Sequence, residues 1–263
     1  MKLKTTTWGH GETKAVFVHG FAGTSAAFSH LEPLLGDLFT AASVELPGHS
    51  GTEVASWDDT LEAVAEQLGE RAVLIGYSQG ARIALGVAAR YPKKIDKLVL
   101  ESCAPGLRRR HDRLMRRKAD DALADLVLSR GVESFVSYWE KLPLFAGLRA
   151  LPVVEQEAIR ARRTAHTAEG LAGALRMLGQ GAQPDLWPVL QGLRVPTLLL
   201  AGSEDEKYAR ITRKMSTELP LGWRAIFKGV GHAPHLECPE RYAAEVRSFL
   251  APRWLNEPQE LAP

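Results

Sequence analysis

Residues 76–80 read Gly-Tyr-Ser-Gln-Gly, with the apolar run 71–75 before them and a helical pattern, Ala81 to Arg90, after them. A strand that becomes a helix across two glycines leaves few options for the fold. The turn is sharp, at positions near the serine that only glycine tolerates, and it stands the Ser78 hydroxyl clear of a sheet edge at a helix N-terminus. The five-residue pattern is weak by itself, because Gly and Ser are common in loops. Its flanks give it weight.

Two more residues complete a constellation in the chain order Ser, Asp, His. Asp205 follows the apolar run Val195 to Ala201 in the turn Gly-Ser-Glu-Asp, and His232 follows Trp223 to Phe227 in Gly-Val-Gly-His-Ala-Pro-His. Both sit just past strand ends, where loops at the C-terminal edge of a parallel sheet gather around a crevice. Serine is a poor nucleophile and base at its free pKa; an imidazole takes its proton near neutral pH, and a carboxylate fixes the imidazole tautomer. His-Gly-Phe at 19–21 follows the strand Ala15 to Val18. From that loop the backbone N–H of Phe21 is expected to join that of Gln79 in an oxyanion hole. His19 reads as a brace for the loop, and Glu101, ending the next strand, is the rival to Asp205 for the acid.

Short β-branched runs alternate with helical patterns along the chain. Strands are expected near 15–18, 41–46, 72–77, 97–102, 195–201 and 223–228, with helices near 59–69, 79–90, 206–219 and 239–250. Such alternation makes βαβ units and a mostly parallel α/β sheet with helices on both faces. Between Pro105 and Pro196 it stops, and amphipathic helices punctuated by Gly131, Pro143, Gly147, Pro152 and Pro184 take over. The expected organisation is a core over 1–104 and 195–255, a helical lid over 105–194, and a frayed tail over 256–263.

The 263 residues have an ordinary globular composition, 45% hydrophobic and 24% charged, and their formal net charge of +2 argues against a global nucleic-acid or membrane role. The N-terminal Met-Lys-Leu-Lys-Thr-Thr-Thr-Trp lacks the apolar region of a signal peptide, and no apolar run reaches the roughly 18 residues that span a bilayer. A cytoplasmic protein with reduced Cys103 and Cys238 is the expectation, and its state as monomer or homodimer is open. His232 and His235 are not expected to form a metal site, because the proline between them argues against a helical ligand pair.

Positive charge is concentrated in the expected lid. Residues 107–118 read LRRRHDRLMRRK and residues 159–163 read IRARR. Most charge runs are solvated helix faces. Arg82 is different, since it lies four residues after Ser78, about one turn along the same helix, within reach of a carboxylate bound in the crevice.

These residues resemble the 2-succinyl-6-hydroxy-2,4-cyclohexadiene-1-carboxylate synthases of menaquinone biosynthesis, within the α/β-hydrolase fold. The resemblance is carried by Gly-Tyr-Ser-Gln-Gly-Ala-Arg at 76–82, Ala-Pro-Gly-Leu at 104–107 with Arg113, Arg116 and Asp120, and Leu-Pro-Leu-Phe-Ala at 142–146. It continues through Gly-Leu-Ala-Gly-Ala-Leu-Arg at 170–176, Gln-Pro-Asp-Leu-Trp at 183–187 and Gly-Ser-Glu-Asp-Glu-Lys-Tyr at 202–208. It implies Ser78, Asp205 and His232 as the triad, Arg82, Arg116 and Arg163 as holders of substrate carboxylates, and Tyr77 and Trp139 as pocket aromatics. The chain departs from the common pattern at Gln79 and Ala81, and near His166. The implied activity is elimination of pyruvate from a small polycarboxylate, with Ser78 deprotonated toward His232 as the base and with no metal or organic cofactor. Planar guanidiniums suit such a substrate because each binds a carboxylate bidentately.

Two other function classes stay open on the sequence. A carboxylesterase or C–C bond hydrolase would use the same triad, but a neutral ester has no need of the arginines. A noncatalytic receptor would keep the fold and turn over no activated ester.

Overall fold

The computed structural model describes residues 1–251. The expected tail 256–263 and the end of the expected second core part, 252–255, lie outside the described residues. The chain runs through β1 (Thr5–Trp8), β2 (Thr13–Val18), α1 (Glu32–Leu35), β3 (Phe39–Val44), α2 (Trp57–Gln67), β4 (Ala72–Tyr77), α3 (Gln79–Arg90) and β5 (Ile95–Glu101). After β5 come three helices, α4 (Arg110–Trp139), α5 (Val153–Thr164) and α6 (Ala168–Leu178). The alternation then resumes with β6 (Thr197–Gly202), α7 (Glu206–Glu218), β7 (Gly222–Phe227), α8 (Pro234–Glu237) and α9 (Pro239–Leu250).

Seven strands form one sheet in the order β1-β3-β2-β4-β5-β6-β7. All neighbours are parallel except β1, which runs antiparallel to β3. The inner strands are continuous apolar runs because both of their faces are covered. Val16, Val18, Leu74, Leu98 and Leu100 point to the face packed by α2 and α3. Their alternates Phe17, Val73, Ile75, Val99 and Leu200 join Phe28, Leu35, Tyr242 and Phe249 on the other. This two-sided burial is the mostly parallel α/β architecture expected from the alternation of strands and helices.

β1 is absent from the sequence expectation. Its Thr-Thr-Thr-Trp carries little apolar signal, since it is an edge strand that buries only Trp8 and takes its register from pairing with β3. The indole Nε1–H of Trp8 donates to Ser43 Oγ at 2.9 Å, which fixes that end of the strand to its neighbour.

The helical insertion between β5 and β6 has a core of its own. Ala124, Val127, Phe135 and Val136 of α4 pack on Leu171, Ala172 and Leu175 of α6, with Ala22 and Phe21 from the loop after β2 joining them. α4 is broken at Gly131, where φ is +76°, so its second half is redirected. Among the described residues no helix is long and apolar enough to cross a membrane.

One glycine sets how α3 meets the sheet. A methyl group at Gly80 would fall 2.0 Å from the Val18 carbonyl oxygen and 2.5 Å from that of His19. Gly80→Ala should therefore lower stability by about 1–3 kcal/mol through backbone displacement, read by urea or thermal unfolding. It should also depress activity, because the same contact spaces the Ser78 turn from the loop after His19.

Candidate active site

The turn between β4 and α3 holds Ser78 at φ +52°, ψ −108°, a conformation that side-chain-bearing residues rarely adopt. The Ser78 N–H donates to the Glu101 carbonyl at 2.9 Å, tying the turn to the end of β5. A methyl at Gly76 would come within 2.6 Å of the Gly80 oxygen, so glycine is required on both sides of the serine.

Ser78 Oγ lies 3.0 Å from His232 Nε2, and His232 Nδ1 lies 2.5 Å from Asp205 Oδ2. Three loops at the C-terminal edges of β4, β6 and β7 thus meet at one point. Asp205 is held in turn, since it is the N-cap of α7 and its Oδ1 accepts the Tyr208 N–H at 3.2 Å. The His232 carbonyl accepts Ser102 Oγ–H at 2.7 Å. Tyr77, Phe145 and Tyr208 wall the imidazole, with ring centroids 5.4, 6.0 and 4.9 Å away. Burial raises the pKa of Tyr208, and burial followed by the Glu101 charge raises that of Tyr77 well above the ordinary value. Both phenols therefore stay neutral at physiological pH.

Glu101 is fully buried, but it faces a different histidine. Its Oε1 accepts both the backbone N–H of His235 at 3.1 Å and His235 Nδ1 at 2.8 Å. Of the two candidate carboxylates, only Asp205 touches His232.

Gln79 is the first residue of α3, so its N–H is one of the donors a helix leaves without an internal partner. The side chain is turned away from that role, donating from Nε2 to the Leu178 carbonyl at 3.2 Å. Phe21 sits in the loop after β2, followed by Ala22 at φ +57°. His19 spans this loop: its Nδ1 is 2.7 Å from the Gly20 oxygen, and its Nε2 accepts the Leu46 N–H at 3.1 Å. Glu45 Oε1 lies 3.3 Å from the same Nε2, so the ring is held from three sides.

A cavity of about 350 Å³ opens at Ser78, and its lining includes Phe21, Tyr77, Gln79, Trp139, Arg82, Arg116 and Arg163. Every side chain expected to hold or surround a ligand is thus on one cavity, whereas Arg108, Arg109 and Arg110 are exposed at the start of α4. The three arginines differ in their partners. Arg116 donates to Asp120 Oδ1 at 2.7 Å and to Gln180 Oε1 at 3.0 Å. Arg163 lies 3.3 Å from Glu140 Oε1 and stacks over Phe145, 4.9 Å from the ring centroid. Arg82, only 6% exposed, has neutral acceptors: Gln183 Oε1 at 3.2 Å and the Leu178 carbonyl at 3.0 Å.

Burial lowers the Arg82 pKa, yet a guanidinium stays charged at any ordinary pH. Among the described residues no carboxylate lies within 4.0 Å of it, which leaves a buried cation whose natural complement is an anion. Arg162 and Lys207 line the same cavity and likewise have no carboxylate partner among the described residues. Burial, then the Arg116 charge, lowers the Lys207 pKa. Neither stands out in the sequence, although Arg162 lies in the IRARR run and Lys207 is two residues past Asp205. Gln180, also without a local sequence signal, links Arg116 to Tyr208 by donating from Nε2 to the phenol oxygen at 2.8 Å.

The family model described as "Alpha/beta hydrolase family" matches residues 15–245. The putative 2-succinyl-6-hydroxy-2,4-cyclohexadiene-1-carboxylate synthase of Bacillus subtilis (strain 168) is 34% identical over 245 residues, covering 89% of this chain and 89% of that protein. Among solved structures, MenH from S. aureus superposes with a TM-score of 0.89 at 33% identity, covering 97% of this chain and all of that one. A thermophilic esterase from Thermogutta terrifontis superposes with a TM-score of 0.78 at 26% identity, covering 94% and 92%. Matched from the second strand to the last helix, the chain belongs to the alpha/beta hydrolase family and, within it, to the 2-succinyl-6-hydroxy-2,4-cyclohexadiene-1-carboxylate synthases.

Proposed function

We propose that the chain is a carbon–oxygen lyase of menaquinone biosynthesis that eliminates pyruvate from 2-succinyl-5-enolpyruvyl-6-hydroxy-3-cyclohexene-1-carboxylate. The observation that carries this reading is Arg82, a buried guanidinium with no carboxylate partner on the same cavity as Ser78. An esterase for neutral substrates gains nothing from such a group. A substrate with three carboxylates supplies the missing counter-charges, and binding it removes the penalty of an unpaired buried cation.

Ser78 Oγ, its proton passed to His232 Nε2, takes the proton from ring carbon 2, and Asp205 stabilises the imidazolium that results. The electron pair left behind forms the C2–C3 double bond, the C3–C4 π pair moves to C4–C5, and the C5–O bond breaks. Pyruvate departs as its enolate and regains one proton, so the balance is one proton moved and no water consumed. Charge develops on the succinyl carbonyl oxygen, which is conjugated with carbon 2, and the N–H groups of Phe21 and Gln79 are its donors. Arg82, Arg116 and Arg163 hold carboxylates, Tyr77 and Trp139 enclose the ring, and residues 105–194 act as a lid over it.

Incubation with this substrate should release one pyruvate per conjugated cyclohexadiene formed, followed by coupled pyruvate assay and diene absorbance. Nitrophenyl esters should be poor substrates, since they forfeit the arginine contacts that position the reacting atoms. Fast ester turnover without pyruvate release would favour a hydrolase.

A further inference from the structure

Three histidines outside the triad form a line from the helical insertion to the loop after β2. His166, in the α5–α6 connection, is buried, and its Nδ1 accepts the Ser50 N–H at 2.9 Å. His49, next in the chain to Ser50, is wholly buried, and its Nε2 accepts the Ala22 N–H at 3.1 Å. His49 Nδ1 donates to the Pro47 carbonyl at 3.1 Å, so both of its nitrogens are committed. Their rings are in edge contact, His166 on His49 at 5.2 Å and His49 on His19 at 4.9 Å between centroids.

Both residues reached by these bonds sit in left-handed backbone, Ala22 at φ +57° and Ser50 at φ +47°. Neither is a glycine, so each conformation needs outside support. The histidine acceptors supply it. The insertion also meets this segment backbone to backbone, since a methyl at Gly48 would fall 2.5 Å from the Gly170 oxygen of α6. Ala22 adjoins Phe21, whose own ring is packed by Phe135 and Trp139 of α4 at 6.1 and 5.3 Å.

We infer that His49 and His166 are positioning residues: through Ser50 and Ala22 they hold the Phe21 N–H in its donating direction and tie it to the α5–α6 connection of the insertion. This rests on the reading in which the Phe21 N–H stabilises developing charge. It makes no demand on which reaction produces that charge.

The test uses His166→Ala, His166→Asn and His49→Ala in the full chain, with thermal unfolding as the control. Asn places its Oδ1 close to where Nδ1 stood, so it keeps the acceptor for Ser50. His49→Ala and His166→Ala should each lower kcat about 10- to 100-fold, with KM changed far less, because a displaced donor affects the transition state more than binding. His166→Asn should recover most of the loss. The ¹⁵N–¹H signals of Phe21 and Ala22 should move in His166→Ala and return in His166→Asn, and this readout is independent of the substrate. If His49→Ala does not fold, the two His166 variants and the amide signals still decide. Wild-type kcat in a folded His166→Ala, a His166→Asn as impaired as His166→Ala, or unmoved Phe21 and Ala22 signals would overturn the inference. If the wild type releases no pyruvate while the Phe21 and Ala22 signals still move in His166→Ala and return in His166→Asn, the lyase reading falls and this one stands.

Discussion

Ser78→Ala and His232→Ala should each reduce kcat for pyruvate release by a factor of about 10³ or more, with the fold retained. The expectation follows from two hydrogen bonds, Ser78 to His232 at 3.0 Å and His232 to Asp205 at 2.5 Å: the first passes the serine proton to the imidazole, and the second orients the ring and stabilises the imidazolium. Because the members act as a unit, the double variant should be little worse than either single one. Asp205→Asn should also be severe, since an amide at that position no longer selects the imidazole tautomer that leaves Nε2 free as a base. Glu101→Gln should act on stability rather than on kcat, because Glu101 is bonded to His235 and not to His232. The check is steady-state kinetics beside unfolding curves. Full activity in Ser78→Ala would remove the serine from the mechanism, and a Glu101→Gln more damaging than Asp205→Asn would reassign the acid.

Arg82→Ala should raise the transition-state barrier by about 2–4 kcal/mol, which is the worth of charge-assisted hydrogen bonds in a largely dry site. Arg82 should be the most sensitive of the three arginines. Arg116 and Arg163 already have Asp120 and Glu140 as counter-charges, so part of what they offer an incoming carboxylate is spent in displacing or sharing those partners. Arg82 has only neutral acceptors and gains a full ion pair. Lysine at 82 should rescue in part, because an ammonium keeps the charge but not the planar fork. Comparing kcat/KM across Arg82→Ala, Arg116→Ala and Arg163→Ala checks the ranking, and equal kcat/KM in Arg82→Ala and the parent would contradict it.

What could be read in the sequence is what local chemistry dictates. The Ser78 turn announces itself because its glycines, its preceding strand and its following helix are contiguous, and the helices expected at 79–90 and 239–250 coincide with α3 and α9. The inner strands follow from apolar runs buried on both faces. β1 escapes because three threonines at a sheet edge look like a loop until β3 pairs with them. The remaining omissions are long-range. Glu140 becomes the partner of Arg160 and Arg163 only when the end of α4 returns beside α5, and nothing near residue 140 signals it. His166 meets Ser50 across 116 residues, a distance over which periodicity carries no information. Lys207 and Arg162 were visible as charges, but a charge run does not say which of its members turn inward.

The most direct test of the central claim is to follow the ring and the leaving group together, using substrate deuterated at ring carbon 2 and Ser78→Ala as the control. Elimination predicts a cyclohexadiene that has lost the deuterium, one pyruvate for each diene, and a kcat slowed by the isotope, all at rates far above those with Ser78→Ala. A ring product that keeps its deuterium and carries a hydroxyl at carbon 5 would mean that water cleaves the enol ether, and would contradict the account.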